Sequence, residues 1–218
     1  MAHLQVEIED QVLHLLPSRG AYLPQHSTLL IADTHFGKEA TFRGNQMPVP
    51  SGSTYTTLSV IAAMLQETNA QRLIFLGDFF HASSSKSVDV MQSLDKFFAN
   101  HSEVEMQLTL GNHDRRLGEL PASWSLQIEQ QIQLGDLQLV HHPQVPGAGS
   151  RLVCCGHVHP AVRPRRATDQ IRKLPCFWLS GRQLVLPAIG DFTGTQVVRL
   201  GSKDRVWVCA DDQVLAIG

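Results

Sequence analysis

Residues 28–35 read Thr28-Leu29-Leu30-Ile31-Ala32-Asp33-Thr34-His35, an apolar run of strand length that stops on a carboxylate, with an imidazole two places on. A short apolar run with polar bounds predicts a buried strand. The pattern returns twice. Arg72-Leu73-Ile74-Phe75-Leu76 runs into Gly77-Asp78, and residues 104–110 run into Gly111-Asn112-His113-Asp114. Between these runs, residues 53–67 carry Leu58, Ile61, Ala62 and Leu65 at helical spacing, and residues 88–100 carry Val88, Met91, Leu94 and Phe98 likewise. Each stretch predicts an amphipathic helix. Strands alternating with helices imply right-handed crossovers and a mostly parallel sheet.

Outward from this frame the pattern changes. An opening hairpin is expected around residues 6–8 and 12–15. After Gly111, residues 126–134, 137–140, 152–155, 183–186, 196–200 and 205–209 read as short strands divided by Gly, Pro or Asp. No repeat, low-complexity segment or long linker interrupts them. The expectation is one domain over residues 1–218, an α/β fold of two mixed sheets packed together with helices outside.

Composition narrows the function. Of 218 residues, 43% are hydrophobic and 17% charged, enough apolar material for a packed core and too much for wholesale disorder. Lys plus Arg is 18 and Asp plus Glu is 20, a net charge of −2, which argues against holding nucleic acid by bulk positive charge. A nuclease whose positive charge comes from bound metal remains compatible. Cys154, Cys155, Cys176 and Cys209 lack C-x-x-C spacing, so a zinc ribbon is not expected. No secretory leader and no window of about 18 apolar residues is visible, so a cytoplasmic location without a membrane span is expected.

Chemistry gathers where the apolar runs stop: Asp33-x-His35, Gly77-Asp78, Gly111-Asn112-His113-Asp114, His141-His142-Pro143 and Gly156-His157-Val158-His159. Loops past strand C-termini are where α/β folds build sites. The glycines before Asp78, Asn112 and His157 are read as sharp turns. Any one of these residues alone is more simply a cap, a turn or a surface histidine. Together, Asp33, His35, Asp78, Asn112, His141, His157 and His159 offer oxygen and imidazole donors with no thiolate, a set suited to Mn, Fe, Zn or Co. They exceed what one ion uses beside substrate and water, whereas two ions about 3.5–4 Å apart would use them all. Asp78, on the central strand, is the natural bridge. His81 faces either the crevice or solvent. Lys38 and Arg43 either bind phosphate or are solvated charges. Arg163, Arg165, Arg166, Arg172 and Lys173 form the one basic stretch, a guide for a nucleic-acid strand or a solvated hairpin.

In these five motifs, present in order, the chain resembles the calcineurin-like metallophosphoesterases. The residues around them, together with Pro48-Val49-Pro50-Ser51-Gly52, residues 174–179 and Leu186-Pro187-Ala188-Ile189-Gly190-Asp191-Phe192-Thr193-Gly194, are similar to the bacterial DNA ligase-associated branch over nearly the whole chain. The resemblance implies a four-layer α/β/β/α sandwich with a dinuclear, normally Mn-active centre. Carried over, Asp33, His35, Asp78 and His159 hold one ion, and Asp78, Asn112, His141 and His157 the other, with His141 preferred to His142. His113 is then a non-ligand catalytic histidine, with Asp114 its orienting carboxylate. The implied activity is hydrolysis of phosphodiesters, with single-stranded DNA as substrate in repair and a ligase and a helicase as functional associates. A small-molecule or nucleotide phosphodiesterase is the alternative, and a non-catalytic scaffold a more distant one.

Overall fold

The structure is a computed structural model and describes residues 3–116, 118–163 and 173–217. Strands β1 (Leu4–Ile8), β2 (Gln11–Leu15), β3 (Ala21–Leu23) and β4 (Thr28–Ile31) form an antiparallel meander. Onto β4, strands β5 (Arg72–Phe75), β6 (Glu105–Thr109) and β7 (Gln127–Glu129) add in parallel, so the first sheet runs β1 to β7 in chain order. It is therefore evenly mixed rather than mostly parallel, because the opening hairpin joins it instead of standing apart.

The second sheet contains β8 (Ile132–Leu134), β9 (Leu137–Leu139), β10 (Leu152–Cys155), β11 (Pro160–Val162), β12 (Leu174–Ser180), β13 (Gln183–Val185), β14 (Gln196–Val197), β15 (Arg205–Ala210) and β16 (Gln213–Ile217). Its order is β14-β11-β12-β13-β10-β9-β8, with β15 and β16 added beside β12. Residues 126–134, read above as one strand, are two. The chain leaves the first sheet after Glu129 and enters the second at Ile132. Of residues 196–200 only Gln196–Val197 pairs, whereas β3, β11, β12 and β16 were not foreseen as strands.

Helices α1 (Lys38–Gly44), α2 (Ser53–Thr68) and α3 (Val88–Asn100) connect the early strands. The α/β architecture of two mixed sheets flanked by helices is the expected one, with the α-helices of the described residues gathered on the first sheet. Strand periodicity explains the layers. Leu30, Ala32 and Ile74 point inward against Leu139, Cys154, Phe177, Leu184 and Trp207 of the second sheet. Their neighbours Leu29, Ile31, Leu73 and Phe75 point outward against Ile61, Met64 and Leu65 of α2 and Leu94, Phe97 and Phe98 of α3. Each central strand is thus apolar on both faces, which is why the sequence reads as continuous apolar runs there. All four cysteines are buried and free, and burial pushes the Cys154, Cys176 and Cys209 thiols up to about 12.

Candidate metal centre

Backbone pairing continues past the ends of β4 and β5 and brings their loops together: Asp33 N–H donates to Gly77 O (3.3 Å), His35 N–H to Asp78 O (2.9 Å) and Phe36 N–H to Phe79 O (2.8 Å). A loop following β13 crosses to the same place, where Ile189 N–H meets Ala32 O (3.0 Å) and Gly190 N–H meets Asp33 O (3.2 Å). Both sheets therefore aim loops at one point. Asp33 (φ 54°), His35 (φ 44°), Asp78 (φ 49°), His157 (φ 71°) and His159 (φ 52°) all hold left-handed backbone. Such conformations cost of order 1–3 kcal/mol each in non-glycine residues and persist where surroundings over-determine them.

The glycines act differently from one another. Gly77 turns at φ 78°, as read above, and a Cβ there would also overlap the His141 ring. Gly111 and Gly156 only make room: a Cβ at Gly111 would overlap the Asp78 carboxylate, and one at Gly156 would lie 2.7 Å from Asp33 Oδ2.

Ring orientation follows from backbone carbonyls, which can only accept. His141 Nδ1–H donates to Leu76 O (2.9 Å), leaving the Nε2 lone pair free. Around that atom stand Asn112 Oδ1 (3.1 Å), His157 Nδ1 (3.1 Å) and Asp78 Oδ1 (3.4 Å). His159 Nδ1–H donates to Gly194 O (3.0 Å), so its Nε2 faces Asp33 Oδ1 (3.4 Å) and His35 Nε2 (3.4 Å). With Nδ1 the proton-bearing atom, the Nε2 lone pairs of His141 and His159 face oxygens that can only accept, Asp78 Oδ1, Asn112 Oδ1 and Asp33 Oδ1, a repulsive arrangement that a cation relieves. Asp33, His35 and His159, and separately Asp33, Asp78 and His141, place donor atoms within 4.8 Å of one another. The donor chemistry fits divalent metal.

Electrostatics hold His35 and His141 neutral and favour the charged form of His159. Burial, then the charges of His159 and Lys38, pushes His35 down to about 2. Burial pushes His141 down to about 4 against the pull of Asp33. For His159 burial is the largest effect and lowers the pKa, but the hydrogen bond and charge of Asp33 outweigh it and the net shift is upward.

The remaining expected residues divide. His141 is buried and central, while His142 is exposed and packs on the His157 ring (4.2 Å). His113 lies between site and solvent, its Nδ1–H donating to His81 O (2.5 Å) and its Nε2 3.9 Å from Asp78 Oδ2. Asp114 does not orient that ring. Its carboxylate accepts from Gly111 N–H (2.9 Å) and Phe79 N–H (3.0 Å), tying the second and third loops together, and burial pushes it up to about 6. The His81 ring faces the crevice, stacked on His113 (5.2 Å) and edge-on to His35 (5.6 Å), and burial, with Lys38 and His113, lowers it to about 4. Lys38 lies near enough for its charge to depress both His35 and His81. Arg43 turns away to Asp89 of α3 (3.5 Å). Arg165, Arg166 and Arg172 lie outside the described residues. The carbonyls of Leu76, His81 and Gly194 were invisible in the sequence, since any residue supplies one.

A family model described as calcineurin-like phosphoesterase matches residues 26–143. Among solved structures, nuclease MPE of Pseudomonas putida is 31% identical, with 99% of this chain and 100% of that chain covered at a TM-score of 0.86. A protein of Aquifex aeolicus, AQ665, is 20% identical over 65% of this chain and 82% of its own (TM-score 0.42). The phosphoesterase YfcE of E. coli is 15% identical over 87% and 96% (TM-score 0.39). No curated protein sequence matches the chain. No helix of the described residues is long and apolar enough to cross a membrane. By the family match, which covers more than half its length, and by the converging Asp and His donors, the chain belongs to the calcineurin-like phosphoesterases and is a metal-dependent phosphoester hydrolase.

Proposed function

We propose that Asp33, His35 and His159 hold one divalent cation, that Asn112, His141 and His157 hold a second, and that Asp78 is shared between them. The observation that carries this reading is the division of the Asp78 carboxylate: Oδ1 lies 3.4 Å from His141 Nε2 and Oδ2 lies 3.8 Å from His35 Nε2. Asp33 is the weaker bridge. Its approach to His141 is to the proton-bearing Nδ1 (3.8 Å), and both its oxygens already accept from His157 N–H. Mn is the first choice, with Fe, Zn and Co compatible. Such a pair supplies Lewis-acid polarisation of a phosphoryl oxygen and a water acidified towards neutral pH.

The chain's own groups do the rest. His113, anchored through Nδ1–H on His81 O, acts as the imidazolium: its Nε2 gives a proton to the leaving alkoxide and the ring ends neutral. His81 and Lys38 line the approach to it, with Arg43 at one remove. Asp114 positions the loops that carry Asp78 and Asn112. The substrate is a phosphodiester, single-stranded DNA above all, since a flexible strand can follow a crevice formed by loops. The name of the Pseudomonas putida neighbour supports a nuclease. Action as one domain in DNA repair beside a ligase and a helicase, in the cytoplasm, belongs to the same reading and rests on the resemblance. The net charge of −2 favours a second reading, a small nucleotide diester.

Incubation with single-stranded DNA, duplex DNA, a small diester and a phosphomonoester, each with Mn, Fe, Zn or Co, tests this. The expected result is Mn-dependent cleavage of single strands ahead of duplex, and diesters ahead of monoesters. DNA left intact with every ion moves the substrate to the second reading, and a monoester preference overturns the diester assignment.

A further inference from the structure

The loop between β13 and β14, which hydrogen-bonds to the first sheet at Ala32 and Asp33, presents an aromatic ring beside the candidate metal centre. Phe192 is 46% exposed and holds φ 56°, a conformation that a bulky side chain adopts only under constraint. Constraint is visible on both sides. Two residues before it, Gly190 N–H donates to Asp33 O (3.2 Å), and a Cβ at Gly190 would overlap Thr34 O. Two residues after it, Gly194 O accepts from His159 Nδ1 (3.0 Å). Phe192 therefore hangs within about 7 Å of chain from two residues bonded to candidate ligands. Its ring meets Phe42 of α1 edge-on (6.5 Å), and Phe42 in turn meets His81 edge-on (6.3 Å) and lies under Lys38 Nζ (5.9 Å). The sequence of contacts runs Phe192, Phe42, His81, His113: an aromatic wall leading out from the proton donor, with one cation on it.

Water contact for a phenyl ring is unfavourable, yet this ring stands at the surface on a backbone held from both sides. Stacking on aromatic side chains is how unpaired bases are held without sequence preference. We infer that Phe192, backed by Phe42, is the stacking platform for an unpaired nucleobase next to the scissile phosphate. The inference deepens the phosphodiesterase reading and rests on it. It makes the site selective for nucleoside-bearing, single-stranded diesters, because a base within a duplex has no free face to offer.

The decisive experiment pairs two diesters with the same leaving group, thymidine 5′-(4-nitrophenyl) phosphate and methyl 4-nitrophenyl phosphate. The ratio of their kcat/KM values isolates the base. Stacking contributes roughly 1–3 kcal/mol per base, so Phe192→Ala is expected to lower that ratio about 5- to 150-fold. Phe192→Trp should restore it, and Phe192→Leu, apolar but not aromatic, should not. A second readout needs no turnover. Without metal, labelled oligothymidylate should bind wild type and Phe192→Trp more tightly than Phe192→Ala, whereas an abasic oligomer of equal charge should bind all three alike. An unchanged ratio, or equal restoration by Leu and Trp, overturns the stacking role even if DNA is cleaved. If single-stranded DNA is left intact while the diester ratio falls, the polymer substrate is wrong and the base platform stands.

Discussion

The two sheets supply donors of different character. From the first come Asp33, His35 and Asp78, each at most 4% exposed, set in loops zipped to one another by backbone hydrogen bonds and backed by α2 and α3, with exposed Asn112 at their edge. From the second come His141, buried and pinned by Leu76 O, and then His157, which is exposed, and His159, which is half-buried. The first sheet is a rigid frame and the second is partly a rim. The difference shows how one centre combines fixed charge with an opening for substrate: carboxylates are sealed away from water, where their field is strongest, while the imidazoles of His157 and His159 face the approach.

The sharpest break is at the shared frame residue. Asp78→Ala should remove both ions and nearly all activity, while Asn112→Ala should weaken one ion and leave residual turnover. Elemental analysis of the purified variants decides, and wild-type metal content in Asp78→Ala would sink the bridging role. Next comes His113, which stands between frame and rim. His113→Ala should keep both ions and lose roughly 10²–10⁴-fold in kcat, the usual contribution of an acid–base group. The loss should shrink with a nitrophenyl leaving group, and an equal loss across leaving groups would point to positioning instead.

The rim itself offers a finer comparison. His141→Ala deletes a buried ring and leaves Leu76 O unpaired, costing about 2–4 kcal/mol of fold stability. His157→Ala deletes an exposed ring and should leave the metal-free melting temperature almost unchanged, though both variants lose metal. Equal melting curves would erase the distinction between frame and rim.

Acid is the mildest probe. In the metal-free protein His35 and His141 stay neutral down to about 2 and about 4, while in the unfolded chain they take protons near 6.5. Below 6.5 the unfolded state binds more protons, so stability falls with pH. The slope is about 1.4 kcal/mol per pH unit per histidine, or about 3 for the pair down to pH 4. Above 6.5 these two groups add no slope. Urea midpoints measured with a chelator present should therefore drop between pH 6.5 and 5.5, with His81 adding to the fall and Asp114 and His159 offsetting part of it, and the absence of a drop would mean these rings are protonated in the fold.

Much of this was legible in the sequence because burial on both faces leaves unbroken apolar runs, and Leu29-Leu30-Ile31 or Leu73-Ile74-Phe75 can be read as nothing else. The donors are legible for the same reason, since polar residues stop such runs abruptly. What stayed hidden depends on partners far along the chain. No local pattern tells residues 127–129 from 132–134, yet they lie in different sheets. Gly111 and Gly156 look like turn residues until the carboxylates beside them are seen. Asp114 follows His113 directly, and only the folded loops show its carboxylate turned back to Gly111 and Phe79. Phe192 lies in a stretch that resembles the family, but its exposure is a property of the surface, not of the string.

The handover between Glu129 and Ile132 divides the chain into a part that carries Asp33, His35, Asp78 and Asn112 and a part that carries His141, His157 and His159. Of the groups of converging donors, the first part completes only His35, His81 and His113, whereas the group with His159 and the group of Asp33, Asp78 and His141 both wait for the second part. During synthesis from the N-terminus, a nascent chain can close its first sheet on the ribosome and still lack a member of each of the two proposed ligand sets. The pocket needs the His157–His159 loop and then the Gly190–Gly194 segment, whose carbonyl sets the His159 ring. On the proposed ligand sets, loading of both ions therefore waits for a chain that has left the ribosome almost entire, and a truncated translation product, however well its first sheet folds, is expected to hold no pair of ions.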